Sequence, residues 1–337
     1  MKSEMQHSGK TANGRLGSEV SSGQGVTWTS HRRGRFGDRI FSNLTLVFAL
    51  VIVAILVGMV IALNIDAMPA ILKFGLPFIG GSTWNPVTGQ FGALPAIYGT
   101  LLTSVIALAI AVPVSLGAAI FLVELAPSWV RTPGSFLIEM LAAIPSVIIG
   151  LWGLFALVPF VRRPIEKWLG SALGFLPVFQ GPPFGVGFLA AGIILAIMII
   201  PIITAMSRDV IRAVPASQRE AMLALGATRW ETIRKSVLPY CRSGIIGAII
   251  LGLGRALGET MAVLMVIGNE FRITPSLFSP GTTIASKIAS EFNEATGSVY
   301  IGSLVELALV LFAVTLAVNV VARLLVWRMT AVKSSGE

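Results

Sequence analysis

Two charged side chains within one long apolar run of the sequence could together bind an anion. Arg255 and Glu259 lie four residues apart, so a helix through this run would place both on one face. Burying either charge at the centre of a membrane helix costs about 2.5 to 3.5 kcal/mol, and residues retained at such a cost usually serve a function. The planar guanidinium of Arg255 suits an oxyanion, and Glu259 would hold that guanidinium while no anion is bound. A pair that merely neutralises itself is the structural alternative.

Two further carboxylates interrupt other apolar runs. Glu139 precedes the sequence Ile144-Pro145-Ser146. Because proline has no N–H to donate, one backbone carbonyl in the preceding turn loses its helical hydrogen bond, and a neighbouring group or a water-lined path must supply another donor. We therefore expect Glu139 and Ser146 to lie along the same path as Arg255. Glu306 lies near the outer end of the last apolar run, where an interfacial carboxylate is the simpler explanation.

The composition excludes several other kinds of chemistry. The chain has 337 residues, of which 55% are hydrophobic and 12% charged, whereas soluble domains contain roughly 25% charged residues. Its one cysteine and two histidines, His7 and His31, leave no zinc site, disulfide framework or histidine-based catalytic triad in the folded part. No glycine-rich loop with the spacing that cradles ATP phosphates occurs. We therefore predict no catalytic residues, no metal site and no cofactor in this chain.

The elements that must position these residues are membrane spans. A helix needs about 20 mostly apolar residues to cross the hydrocarbon core of a bilayer. Six runs meet this requirement, which predicts an all-α membrane protein with six transmembrane helices. They cover approximately residues 40–63, 94–123, 134–161, 184–207, 243–268 and 299–322.

The distribution of basic residues predicts the orientation of these helices. With the N-terminus inside, 18 of the 25 lysines and arginines fall on the cytoplasmic side, as the positive-inside rule requires. Both termini are then cytoplasmic, and the formal charge of +9 needs no nucleic-acid partner. The predicted organisation is a disordered basic tail (1–38), a first transmembrane helix (39–64), a periplasmic segment (65–94), a transmembrane domain (95–328) with cytoplasmic helices at about 217–239, and a C-terminal tail (329–337).

The long cytoplasmic loop between the fourth and fifth spans is polar and basic but permits helices. Ser217 and Glu220 have the spacing of a capping box that begins a helix. Gly226 then interrupts the helical pattern and Pro239 ends it, which predicts two short helices hinged at the glycine. By composition alone, an amphipathic element lying on the lipid surface is the alternative.

The same loop resembles a family signature. Glu220-Ala221-Met222, followed by Gly226 and then by Leu238-Pro239, is similar to the EAA motif in permease subunits of bacterial ABC importers. The resemblance implies that Glu220, Ala221, Gly226, Leu238 and Pro239 couple the membrane domain to a separate ATPase subunit.

Motifs elsewhere in the sequence narrow this resemblance to one permease family. The chain is similar to the PstC family, the phosphate-specific permeases of the type I importers, and nearly everything after residue 35 takes part. The motifs that carry this resemblance are Trp84-Asn85-Pro86, Phe91-Gly92-Ala93-Leu94-Pro95, Ala142-Ala143-Ile144-Pro145-Ser146-Val147 and Arg255-Ala256-Leu257-Gly258-Glu259-Thr260. The resemblance implies a type I importer fold in the bacterial inner membrane, with Thr260 in the substrate path beside Arg255. It also implies a PstA-like sister permease, two copies of a PstB-like ATPase that bind ATP and Mg, and a PstS-like phosphate-binding protein.

Other functions remain open at this point. A permease for another oxyanion, such as sulfate or molybdate, would need the same guanidinium. An intramembrane enzyme could use Glu139, Arg255 and Glu259 as acid, base and anion clamp. A receptor or scaffold for the ATPase, without transport of its own, is a third alternative.

Overall fold

The described part of the chain is helical. This structure is a computed structural model that describes residues 34–331, with side chains described for residues 39–324. It contains helices and two isolated β-bridges but no strand in that range, which confirms the all-α prediction. Six helical segments are long and apolar enough to cross a membrane. The predicted orientation, with both termini cytoplasmic, defines the inner and outer sides of the spans.

The helices have the following bounds. They are α1 (Gly34–Phe74), α2 (Pro77–Gly80), α3 (Leu94–Ile120), α4 (Ser128–Ala142), α5 (Ser146–Trp152), α6 (Val158–Phe160), α7 (Lys167–Leu173), α8 (Phe188–Arg212), α9 (Ala216–Ala224), α10 (Arg229–Thr232), α11 (Leu238–Leu257), α12 (Met261–Ile267), α13 (Ile284–Glu291) and α14 (Ser298–Ala331). Short π-helical segments, each with a wider turn, lie at Phe121–Leu125, Gly153–Leu157, Val161–Glu166 and Ile233–Val237, and a 3-10 turn lies at Pro177–Phe179. The six candidate spans are Arg39–Phe74, Leu94–Leu125, Ser146–Leu173, Phe188–Arg212, Arg229–Leu257 and Ser298–Leu324.

The first helix is longer than predicted. Helix α1 continues to Phe74, so the start of the predicted periplasmic segment 65–94 is helical. It ends at Gly75, which adopts a left-handed φ of 58°, a conformation that glycine adopts without steric cost. A boundary between two compact units falls within this helix, after Leu56. Of the predicted tails, residues 1–33 and 332–337 lie outside the described residues, and the backbones of 34–38 and 329–331 belong to α1 and α14.

The third span differs from its predicted range of 134–161. Helix α4 ends at Ala142, and the span begins at Ser146 and runs to Leu173. Pro145 explains the break, because proline cannot donate a helical hydrogen bond and disfavours the helical conformation in the residue before it. Glu139 therefore lies on a separate helix that precedes the membrane span.

The fifth span is also interrupted where one helix was predicted over 243–268. Helix α11 ends at Leu257 and α12 begins at Met261. At the break, Oε1 of Glu259 accepts a hydrogen bond from the backbone N–H of Ala262 at 3.3 Å. A side chain that satisfies a free N–H in the first turn favours a new helix start. Arg255 and Glu259 consequently do not share one continuous helix, contrary to the prediction.

Helix α8 forms the centre of the core in the unit that begins at Val57. In its most apolar stretch 72% of the residues are buried, and it packs against α3 and α11. Small residues allow this close packing, because a Cβ at Gly192 would lie 2.4 Å from Ile106, and one at Gly252 would lie 2.7 Å from Ile203. This packing fixes the position of α11, the helix that carries Arg255.

Candidate functional site

Arg255 lines a large cavity between α11 and α14. The cavity has a volume of about 840 Å³, and Ile202 of α8 contributes to its wall. Polar side chains come from both helices and small residues from α11. The lining includes Gly247, Gly254 and Arg255 of α11, with Leu316, Asn319 and Arg323 of α14.

The guanidinium of Arg255 is exposed to this cavity and carries its charge without a counterion. Within residues 39–324, Arg255 forms no ion pair. No aspartate or glutamate is among the residues that line the cavity. A buried or membrane-embedded cation needs an anionic partner, so this cavity is chemically suited to an anion.

Glu259 and Thr260 occupy the break between α11 and α12, and among the described residues neither forms a hydrogen bond or an ion pair with Arg255. Glu259 is buried and accepts the hydrogen bond from Ala262, whereas the Thr260 hydroxyl donates to the backbone oxygen of Gly258 at 3.3 Å. The predicted ion pair in which Glu259 holds the Arg255 guanidinium is therefore wrong for this conformation. The assignment of Glu259 and Thr260 to the substrate path stays a prediction.

Glu139 pairs with Arg208, which directly follows the predicted fourth span 184–207 in the sequence. Its Oε1 accepts a hydrogen bond from Nη2 of Arg208 at 3.0 Å, and Nε of Arg208 donates to Asp209 at the same distance. The Arg208 side chain is 8% exposed and that of Glu139 is 56% exposed. Glu139 is thus a neutralising partner at the inner end of α8. Ser146 begins α5 and, like Glu139, does not line the Arg255 cavity.

This arrangement bears on the intramembrane enzyme considered above. An acid, a base and an anion clamp must meet in one site to act together. Glu139 forms an ion pair with Arg208, and Glu259 accepts the backbone N–H of Ala262, so among the described residues neither carboxylate is paired with Arg255 or lines its cavity. The geometry offers no support for that alternative.

Glu306 is buried within the described part of the chain. Its side chain is buried on α14, and Oε2 has no hydrogen-bond partner among the described residues. It lines an apolar cavity of about 390 Å³ together with residues from the end of α1. The burial of its side chain does not match an exposed interfacial carboxylate, and the position of Glu306 relative to the membrane stays a prediction.

The predicted coupling segment begins with α9, which carries Glu220 and Ala221 on its exposed surface. The helix begins at Ala216 after Pro215 and has no side-chain cap, so the predicted capping box at Ser217 is wrong. A capping box does occur eleven residues later, where the Thr228 hydroxyl and the Glu231 carboxylate each bind the other's backbone N–H.

Gly226 forms the predicted hinge after α9. Its φ is 80°, and the N–H groups of Gly226 and Ala227 donate to the carbonyls of Leu223 and Met222. This pattern is a Schellman motif, in which a left-handed glycine satisfies the last carbonyls of a helix. Beside the hinge, the side chain of Leu225 is 84% exposed, which leaves an apolar surface on the predicted cytoplasmic side.

Pro239 does not end the second cytoplasmic helix as predicted. The helix continues from α10 through the π segment Ile233–Val237 into α11, and Leu238 and Pro239 are half-buried at the start of α11. Proline is tolerated in the first turn of a helix, and the wide turn before it accommodates the missing donor. Arg229–Leu257 is therefore one helical span of 29 residues.

An ion pair that sequence spacing could not reveal links α9 to the inner end of the second span. Nη2 of Arg219 lies 2.8 Å from Oε1 of Glu124 in the π segment that follows α3. The same guanidinium donates to the backbone oxygens of Val214 and Ile211 at 2.6 and 2.9 Å. Movement of α9 is thereby connected to both α3 and α8.

The Trp84 motif has a packing role on the outer side. The Trp84 indole N–H donates to Oε2 of Glu291 on α13 at 2.6 Å, and the Tyr300 hydroxyl donates to the same oxygen at 2.8 Å. The Trp84 ring packs edge-on against Phe91, and the Lys287 ammonium lies 5.3 Å from its centre. These contacts fasten the segment before α3 to α13 and α14. Among the described residues, no group of three or more His, Cys, Asp or Glu side chains is placed to hold a metal ion.

Comparisons with known proteins agree with this architecture. Residues 111–331 match the family described as binding-protein-dependent transport system inner membrane component. The chain is 49% identical over 300 residues to the phosphate transport system permease protein PstC of Haemophilus influenzae, covering 88% of this chain and 95% of that protein. It is 46% identical over 304 residues to the PstC protein of Mesorhizobium japonicum, covering 89% and 93%.

A solved structure is similar in fold. It is the crystal structure of a bacterial ABC transporter involved in the import of the acidic polysaccharide alginate, and the likeness has a TM-score of 0.50 at 18% identity. It covers 87% of this chain and 99% of that chain. The likeness concerns the fold alone and confirms the predicted permease fold of type I ABC importers.

Proposed function

The chain belongs to the binding-protein-dependent transport inner membrane components, and within them to the PstC permeases, so we propose that it binds passing phosphate through Arg255. It is a multi-pass inner membrane protein and a permease subunit of an ABC importer for phosphate. The observation that supports the substrate-path assignment is the guanidinium of Arg255, which faces a cavity of about 840 Å³ and has no counterion within residues 39–324. A fork of fixed N–H donors matches the oxygens of phosphate.

The rest of the importer is supplied by other subunits. A PstA-like sister permease would enclose the path together with this chain, and a PstS-like protein would deliver phosphate from outside. The cavity between α11 and α14 is open in the isolated chain, and a charged guanidinium facing hydrocarbon would be unfavourable. A partner that shields it is therefore required on physical grounds.

ATP hydrolysis is assigned to two copies of a PstB-like subunit, which would bind ATP and Mg. The sequence has no loop of the Walker A type. The exposed surface around Glu220, Ala221 and Leu225 would dock on that ATPase, and its movement would reach Arg255 through the continuous helix that contains Leu238 and Pro239. Glu259, Thr260, Glu139 and Ser146 are proposed to line or gate the path in other conformations of the cycle.

Phosphate uptake and ATP hydrolysis, measured together in vesicles that contain the assembled importer, test this proposal. Arg255→Gln should lower uptake by at least about tenfold while ATPase activity remains, since a charged hydrogen bond contributes about 1.5 to 3 kcal/mol. Arg163→Gln is the matched control, because Arg163 is exposed near the outer end of the third span and lies outside the cavity. Unchanged uptake in Arg255→Gln would refute the assignment.

Competition distinguishes phosphate from the other oxyanions. A guanidinium alone recognises sulfate and molybdate by the same geometry. In the same vesicles, a tenfold excess of unlabelled phosphate should suppress uptake of labelled phosphate, whereas equal sulfate or molybdate should leave it unchanged. Labelled sulfate or molybdate that accumulates with ATP would instead make this chain a permease for that anion.

A further inference from the structure

The inner wall of the Arg255 cavity holds a second cationic residue. We propose that Arg323 and Asn319 of α14 form, together with Arg255 of α11, a two-guanidinium binding site for phosphate. This inference rests on the proposed function and adds to it two substrate-binding residues from another helix. All three side chains line the one cavity of about 840 Å³.

The charges in this cavity are unbalanced. Within residues 39–324, neither Arg255 nor Arg323 forms an ion pair, and no carboxylate lines the cavity. Two cations that share one cavity repel each other, and an anion placed between them removes that repulsion and gains both attractions. Phosphate is the anion that the proposed function supplies.

The remaining walls suit a small polar ligand. Asn319 and Arg323 are four residues apart on α14 and so project from one face of the helix. On the opposite wall, a Cβ placed at Gly247 or Gly254 would meet nothing within 4 Å, so these glycines leave open space beside the backbone. Apolar side chains such as Leu316 complete the cavity and strengthen electrostatic attraction within it.

The position of Arg323 in the sequence did not indicate a role in substrate binding. It follows the apolar run 299–322 directly, and basic residues at such a position are usually cytoplasmic anchors. An anchor would interact with lipid headgroups, and its loss would leave phosphate transport unchanged. The two roles therefore predict different results for one substitution.

The first test is phosphate uptake by the assembled importer in vesicles with Arg323→Gln, Arg323→Lys and the control Arg163→Gln. Arg323→Gln should lower the maximal rate about tenfold, the factor that corresponds to 1.4 kcal/mol. Arg323→Lys should give an intermediate rate, because it keeps the charge and loses the paired donors. Arg163→Gln should transport normally.

Arg255→Gln separates the two proposals. If Arg323→Gln transports within twofold of the parent while Arg255→Gln does not transport, the site with two guanidiniums is refuted and the proposed function stands. If both variants transport normally, both proposals fail.

A second test does not require Arg323→Gln to assemble or transport. The single cysteine, Cys241, is buried, and Cys241→Ser with Asn319→Cys places one reactive thiol in the cavity. An anionic methanethiosulfonate should label this thiol at least about threefold faster than a cationic one, because the arginines attract it. Inorganic phosphate should slow the labelling. Equal labelling by the two reagents, without protection by phosphate, would overturn the inference.

Discussion

The left-handed turn at Gly226 provides a quantitative test of how the cytoplasmic segment docks. A Cβ at this position would meet no atom within 4 Å, so a substitution causes no collision, and the φ of 80° is the only source of strain. That backbone conformation costs a residue with a Cβ about 1 to 2 kcal/mol. If the ATPase binds the segment with this turn intact, Gly226→Val should weaken binding about 5- to 30-fold.

Gly226→Asn is the matched variant, because asparagine enters the left-handed region more readily than valine. Affinity should be measured by titrating the ATPase onto the purified permease pair in nanodiscs, with stimulation of ATP hydrolysis as a second readout. The parent permease should bind the ATPase most tightly, Gly226→Asn less tightly and Gly226→Val most weakly. If Gly226→Val bound the ATPase as tightly as the parent or as Gly226→Asn, the reasoning that the turn itself is recognised would be refuted. Thermal inactivation of the permease pair alone monitors any general loss of stability.

Two other contacts yield predictions. Glu124→Gln should leave ATP hydrolysis intact but lower the phosphate transported per ATP about threefold or more, because it weakens the 2.8 Å ion pair that joins Arg219 of α9 to the end of α3. Lys235→Ala, which removes an exposed ion pair worth about 0 to 1 kcal/mol, is its control, and equal transport per ATP in both variants would contradict the coupling role of Arg219. Trp84→Phe keeps an aromatic ring but loses the hydrogen bond to Glu291. A hydrogen bond to a charged group contributes about 1.5 to 3 kcal/mol to stability, so the variant should inactivate faster on heating than the parent. Trp129→Phe, at an exposed position, should inactivate at the parental rate, and the same rate for Trp84→Phe would show that its hydrogen bond contributes nothing.

The membrane spans were predictable because the signal is local. An apolar run long enough to cross hydrocarbon is contained in one stretch of sequence, and all six runs correspond to spans in the structure. The interruptions were harder to place. Proline has opposite effects at Pro145 and Pro239: the first separates α4 from α5, whereas the second lies at the start of α11 after a π segment. The outcome depends on neighbouring turns that composition does not encode.

The charged contacts were less predictable still, since they depend on which helices meet. Arg208 lies 69 residues from its partner Glu139, and Arg219 lies 95 residues from Glu124. Spacing within one helix suggested instead that Glu259 pairs with Arg255, and the break after Leu257 removes that pairing. Local spacing therefore suggested the wrong ion-pair partner for Arg255, and the role of Arg255 in the substrate path stays a prediction.

The continuity of the fifth span connects Arg255, which we propose to lie in the substrate path, to the cytoplasmic segment. Arg229 and Arg255 lie on one helical segment, separated by about 39 Å at 1.5 Å per residue. The inner end of this segment follows the Gly226 hinge, and its outer end is Leu257, at the break before α12. If the proposed ATPase subunit moves this segment, we expect it to rotate as a unit, because it has a hinge at one end and a break at the other. Rotation would change how the guanidinium faces α14, where Arg323 lies, and so would change the affinity for the anion between them.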